Sequence, residues 1–278
     1  MTALWAPGPV LVAGPCVVES DDVNLSVATL LAELSRTLGL RVVYKASFYK
    51  ANRTRGDAPR GLGLAAGLEA LARVRAATGL PLLTDVHEVA QVGAVSEVVD
   101  ALQVPAFLCR QTDLLEAVGR SGKSVNLKKG QWASPQVMAA AVEKVRGGAA
   151  TAAAAASAAP DIAVTERGTF FGYDDLVVDM RGFARIRAAA EVPVLFDATH
   201  AVQRPGWGRG GATGGCREDV PALLFAAAAA GADGFFLETH PDPNHAPSDA
   251  GTMWPLAELP DLMSRALDIW KCAREVPR

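Results

Sequence analysis

Short apolar runs recur along the chain, and a charged or metal-binding residue follows closely behind each of them. The runs have the length of strands, and the longer stretches between them carry apolar residues at helical spacing. We predict eight strands: Val10–Ala13, Val42–Tyr44, Pro81–Thr84, Ala101–Val104, Ser124–Leu127, Ile162–Thr165, Pro193–Phe196 and Gly234–Leu237.

The stretches between the strands predict eight helices. Gly39 and Gly79 follow the first two where a helix often ends, and Pro135, Pro221 and Pro255 stand where a first helical turn would begin. The predicted helices are Val23–Leu38, Gly63–Thr78, Val89–Glu97, Asp113–Gly119, Pro135–Val145, Leu176–Ala190, Asp219–Ala230 and Pro255–Arg274.

Eight strand–helix units in alternation predict parallel strands joined by helical crossovers, and therefore a single (β/α)8 TIM barrel over residues 1–278. A barrel of this kind typically needs about 250 residues. Its active site is built at the C-terminal ends of the strands, which is where the charged residues behind the apolar runs would lie.

Three long loops fall on that predicted active face: Phe48–Gly63, Gly206–Gly215 and His240–Thr252. Long loops in a compact domain are usually functional or disordered. Six of the ten residues in Gly206–Gly215 are glycine, so we predict a mobile lid there. The alanine-rich tract Ala149–Pro160 is predicted to be an insertion or a helix extension without chemistry.

Composition narrows the possible partners. Half of the residues are hydrophobic and the net charge is −3, which gives no general attraction to nucleic acid or to an anionic membrane. The four cysteines form no C-x-x-C pair, which favours a reducing compartment, the cytoplasm. No G-x-G-x-x-G run directly follows a predicted strand, no P-loop or G-x-S-x-G motif is present, and no apolar run is a convincing membrane span.

Six cations fall on or just after predicted strand ends. If the barrel forms they converge on one pocket, and such a cluster is costly unless an anion is bound. Two phosphorylated groups and a carboxylate suit six cations better than a single phosphate does. The alternative is that some of them are surface charges paired with nearby acids. The six are Lys45, Lys50, Arg53, Arg110, Lys128 and Arg167.

A thiol, an imidazole and two carboxylates follow predicted strands one, seven and eight, which are neighbours in a closed barrel. They are Cys16, His200, Glu238 and Asp249. This donor set suits Zn²⁺, Fe²⁺, Mn²⁺ or Co²⁺. Alternatively, Cys16 is a small buried hydrophobe and Glu238 a structural acid. Further titratable groups at the same mouth, able to orient ligands or relay protons, are Asp85, His87 and Asp197.

Eight motifs follow one another along the chain: AGPCVVES (13–20), YKASFYKANRTR (44–55), LLTDVHE (82–88), QVPAFLCRQTDLL (103–115), VNLKKGQW (125–132), VTERGTFFGYDDLVVDMR (164–181), FDATHAVQRPG (196–206) and ETHPDPNHAPSDA (238–250). Together they resemble the 3-deoxy-D-manno-octulosonate-8-phosphate synthases over nearly the whole chain. The KANRT run (50–54) separates them from the related heptulosonate-7-phosphate synthases, in which a K-P-R-T-type sequence is expected.

The resemblance implies a homotetrameric barrel enzyme that condenses phosphoenolpyruvate with arabinose 5-phosphate and water and releases phosphate, in lipopolysaccharide biosynthesis. It implies that Lys45, Arg110, Lys128 and Arg167 hold phosphoenolpyruvate. Lys50, Asn52 and Arg53 would hold the sugar phosphate, and Gln103 and Thr213 are further substrate-binding candidates. The catalytic candidates are Lys45, Asp85, His87, Asp197 and His200.

Cys16 stands where the metal-dependent members of the family have cysteine, so the resemblance implies that Cys16, His200, Glu238 and Asp249 hold a divalent metal. Two positions depart from the family pattern: Arg55 replaces a serine, and Thr213 stands where a serine is usual. Two alternatives stay open, namely a heptulosonate-type synthase that uses erythrose 4-phosphate and a non-catalytic barrel that senses sugar phosphates.

Overall fold

The computed structural model describes residues 3–51, 60–152, 160–172, 175–204, 207 and 214–275. Several predictions fall outside these ranges. They concern Asn52, Arg53, Arg55 and Thr213, most of the predicted lid, and residues 153–159 of the alanine-rich tract.

Eight parallel strands close into a barrel. Each pairs with the next along the chain, and the last pairs with the first, with Leu11 opposite Phe235. The barrel strands are β1 (Val10–Val17), β2 (Arg41–Ser47), β3 (Leu82–Asp85), β4 (Ala101–Val104), β5 (Ser124–Lys128), β6 (Ile162–Glu166), β7 (Val194–Asp197) and β10 (Gly234–His240). The prediction of a (β/α)8 barrel is confirmed.

Three short strands lie above the barrel at its C-terminal end. The strands β8 (Gln203–Arg204) and β9 (Gly214–Gly215) form an antiparallel hairpin, and β11 (Trp254–Pro255) pairs with the end of β10. The hairpin frames the segment that the sequence predicts to be a lid.

Helices surround the barrel, with the predicted order along the chain. Their ranges are α1 (Asp21–Leu38), α2 (Leu64–Thr78), α3 (Val89–Val98), α4 (Thr112–Arg120), α5 (Pro135–Ala152), α6 (Gly182–Ala190), α7 (Ala198–Ala201), α8 (Val220–Ala230) and α9 (Leu259–Glu275). Gly39 and Gly79 adopt the left-handed conformation that ends α1 and α2, with φ of 59° and 70°.

Two predicted helix starts are wrong. Residues 176–181 are not helical, because Val177 and Thr169 exchange two backbone hydrogen bonds in an antiparallel bridge, and α6 begins only at Gly182. Pro255 belongs to β11, and α9 begins at Leu259 after a single 3₁₀ turn. In the other direction, α5 continues to Ala152 and takes in the first part of the alanine-rich tract.

The barrel interior changes character along its axis. Its lower part is apolar, where Trp5 and the inward residues of the strands form one buried cluster: Val10, Val12, Val43, Leu83, Ala101, Ala163, Leu195 and Phe236. Side chains alternate along a strand, so a residue two positions further on faces the same interior. Those next inward residues are polar and buried: Lys45, Asp85, Gln103, Thr165, Asp197 and Glu238.

No helix among the described residues is long and apolar enough to cross a membrane.

Candidate active site

Two lysines from opposite parts of the barrel meet above one aromatic ring. Lys45 Nζ lies 3.2 Å from Glu238 Oε1 and 3.5 Å from Asp85 Oδ2. Lys128 Nζ donates a hydrogen bond to Asp197 and lies 3.1 Å from the centroid of the Phe236 ring, while Lys45 Nζ lies 5.6 Å from it. Both lysines are buried, so two of the six predicted cations meet at the mouth.

The two lysines differ in how their charge is supported. Burial opposes the charge of Lys45, but the carboxylates of Asp85 and Glu238 outweigh it and raise the pKa of Lys45 above its usual range. Burial dominates at Lys128, where Asp197 compensates only in part, and the pKa of Lys128 falls to about 8. An anion bound beside Lys128 would raise this pKa again, as expected of a ligand-binding cation.

Arg167 points into the same mouth from the turn after β6. Its Nη2 donates to Gln203 Oε1 at 2.5 Å, and its Nη1 is buried without a hydrogen-bond partner among the described residues. The carboxylate of Glu166 accepts from the backbone N–H groups of Arg167 and Gly168, and Lys129 Nζ lies 3.4 Å from that carboxylate. Burial lowers the pKa of Arg167. This guanidinium therefore keeps a donor for an anion.

A chain of hydrogen bonds, here called the amide belt, crosses β2 to β6 at the level of Asp85. Ser47 Oγ and Gln103 Nε2 donate to the Asp85 carboxylate, the latter at 2.6 Å. Asn126 Nδ2 donates to Gln103 Oε1 at 2.8 Å, and Thr165 Oγ1 donates to Asn126 Oδ1 at 2.6 Å. Each amide orientation is fixed by its neighbour. Burial disfavours the Asp85 carboxylate, but Lys45, Lys50, His87 and the Ser47 hydroxyl together outweigh it and lower the pKa of Asp85.

Three of the four predicted metal ligands lie together. The ligand atoms of Cys16, Glu238 and Asp249 are within 4.8 Å of one another, and Cys16 Sγ lies 3.1 Å from Asp249 Oδ2. Glu238 Oε2 is buried without a hydrogen-bond partner among the described residues. Burial and the charge of Glu238 raise the pKa of the Cys16 thiol. A buried thiol beside two carboxylates, one with an unpaired oxygen, fits a divalent cation.

The backbone is bent to bring two of these ligands together. Cys16 and Asp249 have φ of 71° and 52°, a region that side-chain-bearing residues rarely adopt. The pairing of β1 with β2 shifts register between Ala13 and Cys16. Gly14 lies within this shift, and a Cβ atom there would stand 1.9 Å from the carbonyl oxygen of Lys45. Only glycine allows this approach, which turns Cys16 toward the mouth.

His200, the fourth predicted ligand, lies beside this cluster. Its Nδ1 is 2.7 Å from Asp197 Oδ2, and its Nε2 is 3.8 Å from Glu238 Oε2. Asp197 also accepts from the backbone N–H of His200, and it begins the short helix α7 that carries the imidazole. His200 and Lys128 lower the pKa of Asp197 against the effect of burial. One carboxylate therefore orients both the imidazole and Lys128.

The other predicted site residues differ in their surroundings. Lys50 is half-buried; burial opposes its charge, but Cys16, Glu238 and Asp249 raise its pKa. His87 is half-buried between the edges of the Phe48 and Tyr49 rings, and burial lowers its pKa. Arg110 is exposed on the turn before α4.

Sequence reasoning missed several polar residues of the mouth. They are Ser47, Asn126 and Thr165 in the amide belt, Lys129 behind Arg167, and Gln203 between Arg167 and Asp249. The sequence could have predicted the residues of the amide belt. Each lies two positions along its strand from an inward apolar or charged residue, so its side chain also faces the barrel interior. Gln203 gives no such signal, since its role depends on a hairpin above the barrel.

Comparison with known proteins places this geometry in a family. Residues 7–269 match the DAHP synthetase I family. The chain is 49% identical over 264 residues to a protein of Bradyrhizobium sp. strain BTAi1, covering 95% of this chain and 89% of the relative. It is 52% identical over 259 residues to one of Syntrophotalea carbinolica, covering 93% and 90%. Both relatives are named 2-dehydro-3-deoxyphosphooctonate aldolase.

A third relative with this name, from Nitrosococcus oceani, is 49% identical over 264 residues, which cover 95% of this chain and 90% of that protein. The match runs through every barrel strand described above. The chain belongs to the DAHP synthetase I family and, within it, groups with the 2-dehydro-3-deoxyphosphooctonate aldolases.

Proposed function

We propose that this protein is a transferase that condenses phosphoenolpyruvate with D-arabinose 5-phosphate and water. The products are 3-deoxy-D-manno-octulosonate 8-phosphate and phosphate, for lipopolysaccharide core biosynthesis. The observation that carries the proposal is the convergence of Lys45, Lys128 and Arg167 at one buried mouth beside the cluster of Cys16 and two carboxylates. The negative charges of two anionic substrates would compensate the buried cations of this mouth.

Phosphoenolpyruvate binds, in this proposal, to the three buried cations. Arg167 offers its unpaired Nη1, and a bound anion would compensate the burial that lowers the pKa of Lys128. Gln103, fixed by the amide belt, lies at the same level. Lys50 and the adjoining residues Asn52 and Arg53 are proposed to take the sugar phosphate, together with Thr213. The role predicted for Arg110 stays a prediction, because its side chain is exposed.

The reaction needs the two substrates held face to face. C3 of phosphoenolpyruvate attacks the aldehyde carbon of the sugar, water adds to C2, and the C–O bond to phosphate then breaks. Fixing both anions supplies at most on the order of 7–11 kcal/mol of the barrier. Lys128 and Arg167 would stabilise the charge that develops on the departing phosphate. His87 and Asp85 are the proposed groups for proton transfer and substrate orientation.

Cys16, Glu238, Asp249 and the adjacent His200 are proposed to hold a divalent metal, Zn²⁺, Fe²⁺, Mn²⁺ or Co²⁺. When bound, the metal would polarise the aldehyde or orient the attacking water. Asp197 contributes by fixing the imidazole of His200, so that Nε2 faces Glu238. In this reading Cys16 is a ligand and not a nucleophile.

The test is phosphate release from phosphoenolpyruvate with each of two aldoses. We expect turnover with arabinose 5-phosphate and at least ~100-fold lower kcat/KM with erythrose 4-phosphate, loss of turnover on chelation, and recovery with Mn²⁺ or Co²⁺. Equal use of erythrose 4-phosphate would favour a heptulosonate-type synthase. Absence of phosphate release with metal present would favour a sugar-phosphate sensor. Full metal dependence in Cys16→Asn would refute the ligand role of the thiol.

A homotetramer in the cytoplasm is part of the same proposal. Phe107 and Trp132 stack at the barrel rim with their ring centroids 5.9 Å apart, although both side chains are exposed. Phe171, on the neighbouring loop, is 97% exposed. Exposed aromatic residues of this kind support an association surface. Light scattering should give four times the chain mass of 29.0 kDa, and a monomer would contradict the assembly.

A further inference from the structure

Gln203 joins two functional corners of the mouth through one side chain. Its Oε1 accepts from Arg167 Nη2 at 2.5 Å, and its Nε2 donates to Asp249 Oδ1 at 2.6 Å. Arg167 belongs to the anion-binding side, and Asp249 belongs to the cluster with Cys16 and Glu238. The amide thus lies directly between the two parts of the proposed active site.

The chemistry of the bridge requires an amide. A guanidinium only donates hydrogen bonds and a carboxylate only accepts them, so the residue between must accept on one side and donate on the other. Glutamine does both in a single orientation. Glutamate would satisfy Arg167 but bring a second negative charge against Asp249. Leucine would leave Arg167 with neither Nη1 nor Nη2 paired among the contacts described here.

Asp249 depends on this bridge for its orientation. Its Oδ2 accepts from Cys16 Sγ at 3.1 Å and Ser248 Oγ at 2.9 Å, while the contact described for Oδ1 comes from Gln203. The residue also has its backbone in the left-handed region, with φ of 52°. Neighbouring side chains therefore orient both carboxylate oxygens of a residue whose backbone is strained.

The bridge is itself anchored by the β8–β9 hairpin. Gln203 is paired with Gly215 across the hairpin, and a Cβ atom at Gly215 would stand 2.1 Å from Thr252 Cγ2. The hairpin therefore packs tightly against the loop that carries Asp249. Arg204, the next residue, pairs with Asp175 in the loop after β6, with Nη2 and Oδ2 2.9 Å apart. Gln203 is thus held by the loops that it connects.

We propose that Gln203 is a positioning residue that fixes Arg167 and Asp249 relative to each other and so couples anion binding at Arg167 to metal binding at Asp249. This inference rests on the proposed function. Binding of phosphoenolpyruvate immobilises Arg167, the bridge then immobilises Asp249, and the metal binds more tightly. By thermodynamic reciprocity the metal tightens phosphoenolpyruvate binding by the same factor.

The experiment measures metal binding without turnover. Co²⁺ is titrated into metal-free protein, with and without phosphoenolpyruvate, and followed through the near-ultraviolet absorption of the Cys16 thiolate bound to Co²⁺. Steady-state kinetics supply kcat and the KM for phosphoenolpyruvate separately. The variants are Gln203→Leu and Gln203→Glu, and the matched control is Gln136→Leu, at an exposed position of α5.

In wild-type protein and the control, phosphoenolpyruvate should tighten Co²⁺ binding at least ~5-fold, the lower end of typical coupling. Gln203→Leu should weaken Co²⁺ binding about tenfold and abolish that tightening. Gln203→Glu should keep Co²⁺ binding, because its added charge favours a cation, yet raise the KM for phosphoenolpyruvate by neutralising Arg167. A purely structural role would change both variants alike.

Unchanged Co²⁺ binding and KM in Gln203→Leu would overturn the inference, as would equal losses in both variants. The outcome is separable from the proposed function. Wild-type protein that releases phosphate while Gln203→Leu behaves like wild type retains the function and removes the bridge. Wild-type protein without phosphate release, but with Co²⁺ binding that depends on Gln203, retains the bridge and removes the function.

Discussion

At the bottom of the barrel, Trp5 packs among the apolar inward residues, and the backbone N–H groups of Leu4 and Trp5 donate to Oδ2 of Asp161. At the mouth, the inward residues of the same strands are lysines and carboxylates that are equally buried. Apolar burial stabilises a fold, whereas each buried ion costs several kcal/mol before pairing. The lower interior therefore holds the barrel together, and the upper interior keeps charges that only a ligand fully compensates.

The largest expected effect comes from removing a charge at the mouth. Lys128→Met should lower kcat/KM on the order of 1000-fold, as loss of one charge-stabilising donor does. Stability should fall by less than the kinetic loss, because methionine can still pack on Phe236 and Asp197 keeps its contacts with the backbone N–H and the imidazole of His200. Phosphate release and thermal unfolding measure the two quantities.

Lys271→Met, at an exposed position of α9, is the control for Lys128→Met and should leave both quantities unchanged. If Lys128→Met unfolds far more easily but keeps most of its kcat/KM, the result would contradict the comparison, because the mouth would then contribute to stability and not to activity.

The bottom should show the opposite pattern. Trp5→Ala should lower the free energy of unfolding by about 3 kcal/mol, because the cavity beneath the barrel cannot collapse fully. The KM for phosphoenolpyruvate should stay the same, since Trp5 lies at the far end of the barrel interior. Denaturant unfolding checks the first value. Val89→Ala shortens a side chain that is 46% exposed and should cost almost nothing; an equal loss in the two variants would contradict the role given to Trp5.

The amide belt lies between the mouth and the bottom of the barrel. Substitutions in it test whether polar residues at this level affect activity as those of the mouth do. Asn126→Leu breaks two of its hydrogen bonds and frees the Gln103 amide to turn away from Asp85. We expect kcat/KM to fall on the order of 30-fold, or about 2 kcal/mol. Thr165→Val removes one donor at the end of the belt and should cost less than about tenfold. Equal effects in phosphate-release kinetics would show that the belt does not act as a chain.

The sequence predicts the barrel well because each strand–helix unit carries its own periodicity. It also predicts that Lys45, Lys128 and Arg167 gather, since strand ends of a closed barrel share one face. Features that depend on contacts between separate segments of the chain are not predicted from the sequence. The bridge of Thr169 with Val177 prevents a helix at 176–181, although the local pattern allows one. Nothing near Trp5 reveals that it folds back beneath the strands.

The polar bridges were missed for a related physical reason. Asn126 and Thr165 are ordinary strand residues until the register of β5 and β6 sets them side by side. Gln203 lies three positions after His200 in the FDATHAVQRPG motif, but its two hydrogen-bond partners, Arg167 and Asp249, lie 36 and 46 positions away in the chain. Charge at a strand end can be predicted from one strand, but a neutral amide between two charges requires the assembled loops.

The last expected effect is a dependence on pH that belongs to the mouth alone. The pKa of Lys128 is about 8 in the free protein, and its charged form is the one that attracts phosphoenolpyruvate. As pH rises through 8 the proton leaves, so kcat/KM should fall about tenfold for each further pH unit. Lys128→Arg keeps its charge at these pH values and should lack this falling limb even if its activity is lower. Trp5→Ala should retain the limb unchanged, because the bottom residue does not alter the field at Lys128.

A wild-type profile that stays flat up to pH 10 would mean that Asp197 keeps Lys128 charged without a ligand. The mouth and the bottom of the barrel would then differ in polarity. The buried charges of the mouth would, however, already be compensated by the protein before substrate binds.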